Sequence, residues 1–328
     1  MKNSITLAAL SIATTTLSQA AETFLHLPAQ GEANGKHVVL LSGDEEYRSE
    51  EAMPMLGSIL AKQGFECTIL FSLDDEGKVA PKQGGNLTNS EALDKADAIV
   101  MSIRFRHWDD ASMERFEAAL NRGTPLVALR TSTHAFNFKP ESKWAKYSYN
   151  AKPETGWEGG FGRQVLGESW VSHHGKHGTE GTRSLVEKAN AEHPVLNGVG
   201  EIFGTSDVYG AAPLAPSTVL LRGQVTETLE ADSAPVAAKN DPMQPIAWTR
   251  EFKNAGDKPN RVLTTTMGAA TDLLDEDLRR LVINGVYWGL ELPVPAKAEV
   301  SIPASWKPTK FAFNGFKEGL KPSDFLVK

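Results

Sequence analysis

Residues 98–129, AIVMSIRFRHWDDASMERFEAALNRGTPLVAL, decide the fold. Ala98 to Ile103 is a short apolar run of strand length. From Asp109 to Asn121, Met113, Phe116 and Leu120 recur at helical spacing, which predicts a helix with one apolar side. Gly123-Thr124-Pro125 resets the chain, and Leu126 to Leu129 is a second apolar strand.

The same alternation extends upstream. His37-Val38-Val39-Leu40-Leu41-Ser42 is a continuous apolar run between Gly35 and Gly43, the signature of a strand buried on both faces. A helix is expected from Ser49 to Leu60, with Met53, Leu56, Ile59 and Leu60 on one side, and Phe65 to Phe71 reads as a strand. This β-α-β-β-α-β order predicts a single three-layer α/β domain over residues 36–292, built on a mostly parallel sheet with helices on both faces. Further strands are expected at 183–186, 218–221, 245–249 and 261–266, and a last helix from Asp275 to Gly289. Residues 293–328 are punctuated by proline and carry Trp306, Phe311, Phe313, Phe316 and Phe325, which predicts a tail packed along the domain. No internal repeat or linker divides the chain.

Met1 to Ala20 carries one lysine, an apolar stretch from Ile5 to Leu17, and Ser18-Gln19-Ala20 before Ala21. This reads as a cleavable signal peptide, followed by a leader over 21–35, and predicts a periplasmic or secreted protein. No later run approaches the roughly 20 apolar residues of a membrane span. The single cysteine, Cys67, shares a strand face with Phe65, Ile69 and Phe71 and is expected to be a small buried hydrophobe. A formal charge of −7 and a pI near 5.7 argue against a nucleic-acid partner. Seven tryptophans supply flat amphipathic rings suited to sugar faces.

Sheets of this class bind ligands beyond the carboxyl ends of their strands. Here those positions are Ser42 to Arg48, Arg104 to Trp108 and Arg130 to His134, all rich in polar groups. Ser42, Tyr47, Arg104 and Arg130 are therefore candidates for holding substrate, and Asp207 and Tyr209 join them as polar groups able to carry a proton. From Phe138 to Gly181 the chain shows little period, and its Trp144, Trp157 and Trp170 are expected to wall the pocket. That segment ends in Ser172-His173-His174-Gly175-Lys176-His177-Gly178. His134, His174, His177 and Glu46 are the expected acid and base groups. His173, His174 and His177 are candidate ligands for a divalent metal such as zinc, with His174 and His177 expected to converge across the Gly-Lys turn. No cofactor is fixed by the sequence. The elbow after Leu129 holds Arg130 rather than a nucleophile in Gly-x-Ser-x-Gly.

Taken together, the residues resemble the ThuA-like (trehalose utilisation) family. The matching pieces are Ser42-Gly43-Asp44-Glu45-Glu46-Tyr47, the Gly123 to Leu129 strand, His193-Pro194-Val195-Leu196-Asn197-Gly198 with Phe203 and Asp207-Val208-Tyr209, Pro245 to Arg250, Arg261-Val262-Leu263, and Leu278 to Trp288. The resemblance implies a flavodoxin-like sheet similar to the class I glutamine amidotransferase domain. It also implies a small-molecule carbohydrate partner, with keto glycosides as a candidate substrate class and no glutaminase activity. The chain departs from the family at Arg130, where histidine is common, and at Met267-Gly268-Ala269, where Gly-His is common. The expectation is an exported carbohydrate-active hydrolase, lyase or isomerase, compatible with a homo-oligomer. The alternatives are a non-catalytic sugar-binding protein of the same fold and a metal-dependent hydrolase of another substrate class.

Overall fold

The computed structural model describes residues 23–327, so the expected signal peptide lies outside the described residues. The elements are β1 (Phe24–Leu27), β2 (His37–Gly43), α1 (Ser49–Lys62), β3 (Glu66–Leu70), β4 (Ala98–Ile103), α2 (Asp110–Asn121), β5 (Leu126–Leu129) and β6 (Thr182–Val186). They continue with β7 (Phe203–Gly204), β8 (Thr218–Val225), β9 (Gln244–Phe252), β10 (Asn260–Thr265) and α3 (Glu276–Gly289). The apolar runs and helical periods read from the sequence lie within a residue or two of these bounds, except that β8 and β9 run three to four residues further. β1 and the two-residue β7 carry no comparable signal.

All ten strands form one sheet in the order β1-β3-β2-β4-β5-β10-β9-β8-β6-β7. Its centre, β3-β2-β4-β5-β10, is parallel. β1 closes one edge antiparallel, and β9, β8, β6 and β7 extend the other as an antiparallel wing. α1 and α3 cover one face through Met53, Leu56, Leu281 and Val286. α2 covers the other through Met113 and Phe116. Asp109 caps α2 by accepting from Ser112 N at 2.8 Å, and Asp275 caps α3 by accepting from Asp277 N and Leu278 N.

The chain winds from β2 through α1 to β3 on one side, then crosses to β4 on the other. β2 and β4 therefore flank the switch point, where their carboxyl ends, Gly43 and Ile103, stand in register. The segments that follow them are the polar Asp44 to Arg48 and Arg104 to Arg106.

The aperiodic stretch after β5 is ordered by its aromatics. Tyr147 and Phe161 join Phe116 and Phe136 in the core on the α2 face. Residues 293–327 run over the opposite side, where Glu51 of α1 accepts from Thr309 N at 2.7 Å and the Glu51 carbonyl accepts from Trp306 Nε1 at 3.1 Å. Cys67 is fully buried. Among the described residues no helix is long and apolar enough to cross a membrane.

Candidate functional site

The site is assembled around a buried cation. Arg130 follows β5 with φ of +30°, a conformation unfavourable for a side-chain-bearing residue, and its side chain is wholly buried. Nη1 donates to the carbonyls of Asp207 (2.9 Å) and Thr266 (2.8 Å), and Nη2 donates to Tyr47 OH (3.1 Å) and Asp207 Oδ1 (2.9 Å). The guanidinium lies between the rings of Tyr47 (4.4 Å) and Tyr209 (4.1 Å). A charge removed from water this completely needs such partners.

Asp207 is brought to Arg130 by the segment after β7, and it collects the histidine loop. His173 bridges Tyr209 as an isolated β-pair, while His174 N and Gly175 N donate to Val208 O. Gly175 permits the approach, since a Cβ there would stand 3.0 Å from Asp207 Cβ. His173 Nδ1 lies 2.6 Å from Asp207 Oδ2, and His177 Nδ1 lies 3.3 Å from Oδ1. With the carboxylate ionised, each of these contacts takes its proton from the imidazole. Burial pushes the Asp207 carboxyl up, but the His173 hydrogen bond and the Arg130, His173 and His177 charges outweigh it and hold it below the usual range.

Glu46 extends the chain of contacts. Its Oε1 is buried, lacks a hydrogen bond among the described residues, and faces His177 Nε2 at ion-pair distance, 3.2 Å. Burial first, then the Asp44 charge, lifts the Glu46 carboxyl to about 7 against the pull of Arg104 and Arg130. Burial also lowers His177, with Asp207 opposing. Asp44 shapes the loop by accepting from Glu46 N (2.8 Å), Tyr47 N (3.1 Å) and Thr131 Oγ1. A carboxyl that titrates near neutrality, two rings and an ionised aspartate thus stand in a row, hydrogen-bonded from His177 through Asp207 to His173 and at ion-pair distance between Glu46 and His177.

The sequence-derived candidates separate into three groups. Glu46, Tyr47, Arg130, His173, His177, Asp207 and Tyr209 come together. Arg104 joins them through Glu45 and, at 3.7 Å, Glu46, with its guanidinium between Phe105 (4.8 Å) and Phe313 (4.9 Å). His134 and Trp170 form the adjoining wall, with His134 packed on Phe105, Trp170 and Tyr209. Burial, with Arg104, Arg130 and His173 adding to it, keeps the His134 imidazole well below its ordinary value and therefore neutral at pH 7.

The remaining candidates lie elsewhere. His174 does not converge with His177: its Nε2 meets Lys239 O at 2.6 Å. Adjacent side chains on extended backbone point to opposite sides, and the His173–Tyr209 bridge fixes His173 as the inward one. Trp144 is buried against Tyr147 with Nε1 donating to Asp110, and the partly buried Trp157 packs on Tyr147 and Phe252, so both lie on the α2 side, away from the Arg130–Asp207 cluster. Ser42 is buried with its hydroxyl on Ser49, whose Oγ accepts from Asp44 N, and so braces the loop. The donors that approach one another closely enough for a metal are therefore His173, His177 and Asp207, one atom from each lying within 4.8 Å of the others.

Three further residues complete the surroundings, one from the strand-end stretch Ser42 to Arg48 and two from the tail, whose place at the site the sequence did not specify. Glu45 joins Arg104 and Arg106 across the β2 and β4 ends. Phe311 and Phe313 arrive from the tail, Phe311 packing on Tyr47 (5.0 Å) and His177 (5.6 Å).

A family profile described as trehalose utilisation, ThuA, matches residues 37–289. No curated protein matches the chain. Among solved structures, a ThuA-like protein from Parabacteroides merdae superposes with a TM-score of 0.50 at 14% identity, covering 85% of this chain and 97% of that one. A ThuA-like protein from Bacteroides uniformis gives 0.49 at 16% identity, over 79% and 92% of the two chains. An exo-β-1,4-mannosidase from an Opitutaceae bacterium gives 0.34 at 10% identity, over 79% and 36%. At these identities the first likeness concerns the fold alone.

Proposed function

The chain belongs to the ThuA, trehalose utilisation, family, and from that premise we propose an exported enzyme that acts on a sugar or an oxidised, keto glycoside by proton transfer. The observation that carries this reading is the sharing of the Asp207 carboxylate by His173 and His177 beyond the strand ends, with Glu46 at ion-pair distance from His177. Asp207 holds Nδ1 of His173, so that the ring presents Nε2 as a base, as a buried carboxylate does for a catalytic histidine. His173 and His177 are each 35% exposed at the side chain, open enough to meet a ligand. An oriented base with a second proton store beside it suits removal of a proton next to a carbonyl and return of one to a departing oxygen. Export rests on the Met1 to Ala20 leader.

His173→Ala is expected to lower kcat/KM for the converted glycoside by about 10²–10⁴-fold, the usual share of a positioned acid or base. Glu46→Gln is expected to erase an ionisation near pH 7 from the kcat/KM profile. Glycosides and their keto derivatives screened for product supply the assay. Unchanged turnover in His173→Ala would sink the assignment.

The mutual approach of His173, His177 and Asp207 favours a second reading, in which these three residues would hold a zinc ion and the ion, when bound, would supply Lewis-acid chemistry. Activity lost to a chelator and restored by stoichiometric zinc selects that reading. Full activity in metal-stripped protein selects the first.

A further inference from the structure

Phe313 is 58% exposed, yet the chain on either side of it is pinned. Ala312 N donates to Glu46 O at 3.1 Å, Asn314 N donates to Glu45 O at 3.0 Å, and Arg48 Nη2 donates to Ala312 O at 3.2 Å. Asn314 takes a left-handed φ of 52°, and Gly315 passes so close to Arg48 that a Cβ would lie 2.4 Å from Nη2. The two carbonyls that hold the strap are those of Glu45 and Glu46, the residues that open the candidate site. The Phe313 ring consequently stands 6.2 Å from the His177 ring and 4.9 Å from the Arg104 guanidinium.

Phe311, two residues earlier, buries its ring against Tyr47 and suffices to anchor the strap. Phe313 leaves much of its surface in water. What sets it apart from other exposed apolar side chains is its place: the pinned strap holds the ring beside His177 and Arg104 at the mouth of the candidate site. The strap lies beyond residue 289, where the family match ends.

We propose that Phe313 is the stacking platform of a saccharide subsite. The apolar face of a pyranose ring rests on the phenyl face that the Arg104 guanidinium leaves open. This inference rests on the carbohydrate reading above.

The test is ligand-observed NMR titration of trehalose, cellobiose and maltose against the full chain, Phe313→Ala and Phe313→Trp, with thermal melting and sedimentation of each. Removal of a half-covered aromatic platform is expected to raise Kd about tenfold in Phe313→Ala. Phe313→Trp is expected to keep binding within about threefold, and neither melting nor sedimentation is expected to shift. Equal binding by Phe313→Ala and the parent chain overturns the platform and leaves the carbohydrate reading standing. So does a loss of self-association in Phe313→Ala without a change in Kd, which would make the ring a contact between copies. Binding of none of the three sugars by the parent chain also overturns the platform, whereas the carbohydrate reading falls only if the keto glycosides of its own screen are left unconverted as well.

Discussion

Asp207→Asn is expected to lose about 10³–10⁴-fold in turnover of the glycoside that the parent enzyme converts. It is also expected to lose about 3–5 kcal/mol of stability. Both effects follow from one change of charge. The Asp207 carboxylate is the only anion that Arg130 reaches among the described ion pairs, and both side chains are fully buried. An amide leaves the guanidinium charge in the interior without its counter-ion, the situation in which breaking a buried pair is most costly. The amide also presents a donor as well as an acceptor to His173 and His177, so at least one ring must give up the tautomer that Asp207 enforces. Urea denaturation and steady-state kinetics on the same preparation read the two effects. A stability change under about 1 kcal/mol would mean that Tyr47, Tyr209 and the carbonyls suffice to hold the cation. Turnover within tenfold of the parent would remove Asp207 from the chemistry.

Glu50→Gln is expected to stabilise the protein near neutral pH. Glu50 opens α1, is buried, and neither of its carboxylate oxygens has a hydrogen-bond partner among the described residues. Burial, offset only in part by its own backbone N–H and the Arg48 charge, pushes it up from 4.5 to about 8. The folded value lies above the unfolded one, so its contribution is complete below about pH 4.5 and is lost as pH rises through 8. Glutamine cannot ionise and escapes that loss. The gain is expected to be on the order of 2–3 kcal/mol at pH 7 and close to nothing at pH 4. Denaturant midpoints at the two pH values check it, and an equal effect at both would show that the substitution acts through packing instead of charge.

How much of this was legible in the chain varies by element. The central strands β2, β4 and β5 announce themselves because strands buried on both faces are apolar nearly throughout, as His37 to Ser42, Ala98 to Ile103 and Leu126 to Leu129 are. β7 carries no such mark, since two residues paired at the sheet edge need no pattern. The strand-end rule found Glu46, Tyr47, Arg104, Arg130 and His134 because the crossover topology delivers them to one edge of the sheet. Of the three tryptophans, Trp170 lies beside His134 at the candidate site and Trp144 and Trp157 lie away from it, since a tryptophan in an aperiodic segment looks the same whichever way it faces.

The histidine loop shows where the division falls. Its composition declared that imidazoles would be presented from a polar turn, and residue order declared that His173 and His174 would face opposite ways. Which of the two faces inward depends on the pairing with Tyr209, a residue more than thirty positions along the chain. Asp207, Arg130 and Phe313 likewise reach the site from three distant segments. The sequence by itself determined the sheet, the helices and the edge at which chemistry collects, because these follow from periodicity and burial within a few turns of chain. Tertiary structure alone decided that His173 and His177 share Asp207, that Arg130 balances its charge, and that the tail lays Phe313 beside them. Such contacts depend on long-range packing, which leaves no period in the local sequence.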